Sequence, residues 1–495
     1  MIEEQENIAI QDRPKTIEDR VSSDFFDSIG VERAISASPS PIPIPIPAPK
    51  PIPIPLPWLQ GTRFMIWKQD PTVNALGRRL IYLPLYILNG PRDSRINTQL
   101  PGTTPVVRNS DGFIYSSNSK ESDCSHAFAV VRATLTMYER HRNGAAIPWA
   151  WNTGGNTDVV SVYPRGFNGA NAYYSRNDKS LKFGSFTPSG STTEVHTCRS
   201  LDIVSHETGH AILDGLKPGW LGWGNPPQTG GLHEAFGDLT AIFLALSQLD
   251  QVEALIAITG ADLHKKSFLK RLAEQFGLAL GRPMGLRNAD NDLKLSQVSN
   301  EVHAISQVFT GGVYDVLADI FNYEKYRQRN SKGPAHVLSE VGQHVAGLVF
   351  NAYLSAPNTG ATFSDVVNQM LKISHNQGDP AIYRTFIRNR FTYREVVVSP
   401  TPLTAMNTGA FDFDNQDFVD GADLLDMDEA LPNHPSKVAA NQDRSCCCGT
   451  MQNPEFAQLP EQLEANRKKL SKAGVTLTEE DLLSLEIEAL KKAFK

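Results

Sequence analysis

The run Ile203-Val204-Ser205-His206-Glu207-Thr208-Gly209-His210-Ala211-Ile212-Leu213 sets two histidines four residues apart inside an apolar helix pattern. On a helix, residues four apart share one face about one turn apart, so both imidazoles can reach a single metal ion. Glu207, beside the first histidine, is then left free to hold and deprotonate a water on that ion. The competing reading is a surface helix with two solvated histidines.

A catalytic zinc normally keeps three protein ligands and one open position. Downstream, Gly230-Gly231-Leu232-His233-Glu234-Ala235-Phe236-Gly237-Asp238 opens a second apolar helix, expected to run to about Leu249. Glu234 can supply the third ligand. Asp238, four residues on, faces the same way and can accept a hydrogen bond from the non-ligating nitrogen of a zinc-bound histidine, which orients the ring and raises its basicity. His233 is a rival ligand, but it points roughly 100° away from Glu234 around the helix.

These blocks resemble the thermolysin family of zinc metallopeptidases, whose pattern pairs His-Glu-x-x-His with a later Glu-Ala-x-x-Asp. Further blocks fall in family order. Asn171-Ala172-Tyr173-Tyr174, followed by Phe183-Gly184, is similar to the edge strand that takes the substrate backbone in β-like register. Gly285-Leu286-Arg287-Asn288 is similar to the segment whose arginine packs behind the pocket for the residue after the scissile bond, and Val302-His303-Ala304-Ile305-Ser306 to the block whose histidine stabilises the oxyanion. His126 through Tyr138 matches the long preceding helix. The resemblance spans residues 60 to 395. It implies peptide-bond hydrolysis with His206, His210 and Glu234 on one Zn2+, Glu207 and His303 as catalytic groups, and Asp238 behind the metal. Asn171, Ala172, Tyr174 and Arg287 would meet the substrate. Ile203 and Leu286 would wall an apolar pocket, implying cleavage before an apolar residue; plain core packing is the alternative for both.

Several positions depart from the family pattern. The gap from His210 to Glu234 is long, holds Pro218, Pro226 and Pro227, and lacks the tyrosine that assists the oxyanion; Trp220 or Trp223 could line the site instead. An indole offers a single N–H. The aspartate expected before His303 is Val298, with Glu301 or Asn300 as substitutes. Asp202 matches one calcium ligand of the family, but Ala245 stands nearest to where its acidic partners belong, which leaves Ca2+ doubtful. These losses favour a second reading, a weakly active zinc-bound homologue serving as a binding or scaffold protein.

Pattern along the chain gives the domain expectation. Residues 1–38 are polar and expected to be disordered. From Pro39 to Pro57 every second residue is proline, a polyproline II rod of roughly 55–60 Å at about 3.1 Å per residue that serves as spacer or docking strip. Short β-type runs, including 62–67 and 79–83, and a helix at 125–142 fill residues 58–202; helical patterns, including 300–322 and 336–354, fill 203–398. The expected fold is α+β: a β-rich lobe and an α-helical lobe, with the zinc site in the cleft between them. An acidic, cysteine-containing linker (399–452) with Cys446-Cys447-Cys448 precedes a helical tail (453–495) able to pack on a partner.

A net charge of −7 without a basic stripe excludes a nucleic-acid binder, and no apolar run approaches the roughly 20 residues of a membrane span. The resemblance implies a protein or peptide substrate. Five scattered cysteines fit reduced thiols. The acidic start Met1-Ile2-Glu3-Glu4 lacks the features of a secretory signal. The expectation is a cytoplasmic protein, or an effector exported by a non-classical route or injection system.

Overall fold

The structure, a computed structural model, describes residues 61–396 apart from 74–75, 84–85, 101, 153–157, 223 and 283–284. Every described residue falls in one unit, within Pro55–Lys495. The readings for residues 1–38, the proline strip, the acidic segment, Cys446–Cys448 and the C-terminal tail lie outside the described residues.

Strand β1 (Thr62–Trp67) buries alternate residues, Thr62, Phe64 and Ile66, as the two-residue period of a half-buried strand requires. It pairs antiparallel with β2 (Arg78–Leu83), from Thr62 opposite Leu83 to Trp67 opposite Arg78. Phe64 stacks on Phe113 and on Phe128, with ring centroids 4.9 and 5.5 Å away. The second of these contacts seats the hairpin on helix α1 (Lys120–His141), which starts five residues before the sequence pattern places it. Ser119 explains the early start. Its hydroxyl accepts the Ser122 N–H at 3.0 Å, with Glu121 and Asp123 at the positive end of the helix dipole.

Strands β3 (Ile96–Thr98), β4 (Val160–Asn168), β5 (Ala172–Ser175), β6 (Ser180–Phe186) and β7 (Val195–His196) form one sheet. Its order is β3-β4-β6-β5, with β7 also on β6; β3, β4 and β6 run parallel and β5 lies antiparallel at the edge. The block expected to supply an edge strand does so.

Helix α2 (Leu201–Leu216) begins on Ser200, whose Oγ accepts the Ile203 N–H. Every residue from Leu201 to Asp214 is buried, and so is the whole of α3 (Pro227–Leu246). Helices apolar on all sides are stable only when surrounded by protein. Proline at the first turn of α3 wastes no hydrogen bond there. The second helix stops at Leu246, a little short of the expected end at about Leu249, and the chain bends by 92° into α4 (Leu249–Thr259). Among the described residues no single helix is long and apolar enough to cross a membrane. Strands β8 (Arg271–Leu272) and β9 (Arg287–Asn288) pair across α5 (Glu274–Ala279). Helices α6 (Val302–Arg327), α7 (Pro334–Ser355), α8 (Phe363–Asn376) and α9 (Ala381–Tyr393) complete the helical half.

Helices α2 and α3 approach closely because glycine meets glycine. A Cβ on Gly209 would stand 2.8 Å from Thr240 Oγ1 and 3.3 Å from Gly237 Cα, and one on Gly237 would stand 2.6 Å from the His206 ring. Thr240 is held in place by Tyr138 of α1, hydroxyl to hydroxyl at 2.8 Å. Overpacking such a contact costs about 1–3 kcal/mol. Gly209→Ala is therefore expected to lower stability by about that amount, read as a lower urea midpoint at unchanged slope.

Candidate active site

Helix α2 supplies His206, Glu207 and His210, and α3 supplies Glu234 and Asp238. One ligand atom each from His206, His210 and Glu234 lies within 4.8 Å of the other two. His206 Nε2 is 3.0 Å from His210 Nε2, and each of these nitrogens is 3.7 Å from a Glu234 oxygen. Two imidazole nitrogens and one carboxylate, all buried, match the donor set that a catalytic zinc takes. His264, Asp290 and Asp315 also converge, but Lys270 lies 2.6 Å from Asp290 and Arg394 2.8 Å from Asp315, so that cluster is an ion-pair network.

The residues behind the ligands fix their protonation. Asp238 Oδ1 lies 3.0 Å from His206 Nδ1, and Arg287 grips the same carboxylate with contacts of 2.9 and 2.6 Å. Burial would raise the Asp238 pKa, but Arg287 and His206 hold it below the usual value. Burial would lower His206, yet the hydrogen bond and charge of Asp238 carry it above the ordinary value. Behind His210 stands His233, Nδ1 to Nδ1 at 2.7 Å. Burial pushes it well below the ordinary value, with His206, His233 and Arg287 adding to the shift. A ligand must be neutral to bind a metal, and His210 meets that condition.

His233 has turned away from the ligand cluster. Its Nδ1 is 2.7 Å from His210 Nδ1, the two rings stack, and burial pushes it down to about 3. Its sequence reading considered only direct ligation. The signal that could have found this contact is its place one residue before Glu234, on the flank of α3.

Glu207 is fully buried and its Oε2 accepts the Tyr174 N–H at 3.1 Å. Tyr174 itself, expected at the substrate, points its phenol into the interior, where it donates to Asp214 at 2.7 Å. It thus reaches the site through its backbone. Arg176 also holds Asp214 (Nε to Oδ2, 2.7 Å), tying the end of β5 to α2. Asn171 keeps its side chain on the Ala172 N–H at 2.9 Å, and Ala172 begins the edge strand.

His303 has its Nδ1 on Glu301, and its Nε2 lies 4.0 Å from Glu234. Glu301, rather than Asn300, takes the role left open by Val298. Its other oxygen caps α6, accepting the N–H groups of His303 and Ala304 at 3.0 and 2.9 Å. Ile203, Leu286 and Arg287 line one small cavity with Glu207, Leu272 and Ala241. Arg287 is buried, not a solvated surface residue.

Trp220 does not line the site. It is buried, with Nε1 donating to Pro357 O at 2.8 Å, because the 217–229 connection is fastened to residues 356–361. Trp223 lies outside the described residues.

Residues 78–214, which carry His206, Glu207 and His210, match the family model of the thermolysin metallopeptidase catalytic domain. Over those residues the chain is thermolysin-like in sequence. The described fold is α+β, and the family of that model is zinc-dependent. Among solved structures, the precursor of protealysin, a metalloproteinase from Serratia proteamaculans, is similar at 12% identity and a TM-score of 0.40, over 60% of this chain and 86% of that one. No curated protein matches the chain in sequence.

Asp202, the residue placed at a calcium position of the family, is occupied by the protein itself: Gln69 donates to Oδ1 at 2.5 Å and the Ala273 N–H to Oδ2 at 3.0 Å. Burial, with Asp70 nearby, pushes it up from 3.8 to about 8. The folded chain thus keeps a proton that the unfolded chain gives up. The associated stability is full below pH 3.8 and is lost as pH rises toward about 8. Asp202→Asn is expected to remove that loss, so urea midpoints of variant and wild type should diverge in the variant's favour as pH rises through this window.

Proposed function

We propose that the chain is a zinc endopeptidase that cuts protein or peptide substrates before an apolar residue. The observation that carries this reading is the convergence of His206, His210 and Glu234 with the Glu207 carboxylate beside them. Zinc in such a donor set supplies a Lewis acid that lowers the pKa of a bound water to about 7 and polarises the scissile carbonyl.

Glu207 takes the proton of the attacking water and later gives it to the leaving amine. The Tyr174 N–H on Oε2 holds the carboxylate in place for that exchange. His303, with Nδ1 fixed by Glu301, turns Nε2 toward the Glu234 side of the site, where it meets charge developing on the carbonyl oxygen. Edge strand β5, led by Asn171 and Ala172, offers a backbone for the substrate to pair with. Arg287 acts through Asp238 on His206 and closes the cavity that Ile203 and Leu286 line. Those two apolar walls support the preference for an apolar residue after the cut.

One observation favours the weaker reading, a zinc-bound homologue that works mainly by binding. The 217–229 connection holds no tyrosine, and the Trp220 N–H is committed elsewhere. Loss of one oxyanion donor costs roughly a hundredfold or more in kcat.

The deciding measurement is cleavage of an unfolded protein by wild type and Glu207→Gln, with zinc content assayed in both. Wild type is expected to cut and to stop on chelation, and the variant to hold zinc without cutting. Stoichiometric zinc with no cleavage by either protein would overturn the peptidase reading for the binding one. Glu301→Ala, which frees His303, is expected to lower kcat by up to about a hundredfold at a nearly unchanged KM.

A further inference from the structure

We infer that His233 is the positioning residue for His210, and that it selects the tautomer in which His210 can ligate zinc. The inference rests on the reading of His210 as a ligand through Nε2. That nitrogen faces His206 Nε2 at 3.0 Å and Glu234 Oε1 at 3.7 Å, which leaves Nδ1 directed away from the ligand cluster. It lies 2.7 Å from His233 Nδ1, with the two rings stacked at 4.9 Å and 25°.

A neutral imidazole carries one N–H and one bare nitrogen. Two facing Nδ1 atoms at this distance share one proton. If His233 held it, His210 would carry its own proton on Nε2 and would have no lone pair for a metal. If His210 holds it, Nε2 is bare and His233 Nδ1 is the acceptor, with the His233 proton on Nε2. Only the second arrangement is compatible with ligation. His233 Nε2 is buried and has no hydrogen-bond partner among the described residues, so a proton carried there competes with no other contact.

The choice of an imidazole at this position has a physical reason. Asp238 does the same task for His206, but its charge is matched by Arg287. A second carboxylate at 233, one residue from Glu234, would add a buried charge with no cation bonded to it, which is costly. A neutral ring accepts the hydrogen bond without that cost. Helix α3 thus provides a ligand, Glu234, and the partners that orient both histidines of α2.

The test compares His233→Leu with His233→Asn. Asparagine Oδ1 occupies nearly the place of histidine Nδ1, whereas leucine has similar size and no acceptor, so the space left by the ring is common to both. Zinc dissociation constants come from chelator competition, with melting of the metal-free proteins as a check on folding. Leucine is expected to weaken zinc binding about 10–100-fold, and asparagine to stay close to wild type. Equal binding by wild type and the leucine variant overturns the inference, and so does equal weakening by both variants.

Should the leucine variant fail to fold, long-range proton–nitrogen correlation spectra of the zinc-loaded wild type decide instead. They must show His210 protonated at Nδ1 and His233 at Nε2; the reverse assignment at His233 refutes it. Neither readout requires cleavage, so a protein that binds zinc tightly but cuts nothing would sink the peptidase reading alone. A wild type that binds no zinc would sink both.

Discussion

The contact between Gly209 on one buried helix and Gly237 on the next governs everything at the site. With no Cβ on either residue, the backbones of α2 and α3 come close enough for Glu234 to stand beside two histidines of its neighbour. The same closeness leaves room for the His206 ring over Gly237. Three ligand atoms drawn from two helices can converge only if the helices hold a fixed separation, and packed interiors hold separations to fractions of an ångström. Ser200 and Pro227 set where the two helices begin, and Thr240, fixed by Tyr138, adds a third helix to the arrangement.

Around that contact, buried carboxylates are each held by more than one partner. Asp238 lies between His206 and Arg287, Asp214 between Tyr174 and Arg176, and Glu301 between His303 and two backbone N–H groups. Asp238 and Asp214 each hold separate elements in register as well as orienting a side chain, so electrostatics and architecture are there the same set of bonds. Burial makes unpaired charges expensive, which rigidifies a fully answered network. Asp202 follows the other solution. It has donors but no cation, and it keeps a proton instead.

Much of this was legible in one dimension. Residues 206, 207 and 210 announce their geometry because a helix puts positions four apart on one face, and Glu234 with Asp238 obeys the same rule. Strand 62–67 and the helices near 302 and 334 also follow from local periodicity, and the family resemblance implied the edge strand at 172–175. Boundaries were less readable. A Ser119 cap moved the start of α1, and the bend after Leu246 ended α3 short of the expected Leu249. Trp220 was misplaced because composition cannot tell an indole that faces a cleft from one that bonds Pro357. Tyr174 sits where its motif implies, yet its side chain and its backbone serve different partners.

The division has a physical origin. By itself the sequence determined which residue types share a helix face, hence the candidate ligands, the general base and the α+β class, since these depend on distances of a few residues. Only the tertiary structure decided what stands behind each ligand: Arg287 behind Asp238, Glu301 behind His303 and His233 behind His210. His210 and His233 are 23 residues apart in the chain and their ring nitrogens 2.7 Å apart in space. Such pairings depend on the packing of two buried helices, and side-chain volume at a few glycines controls that packing more than any local pattern does.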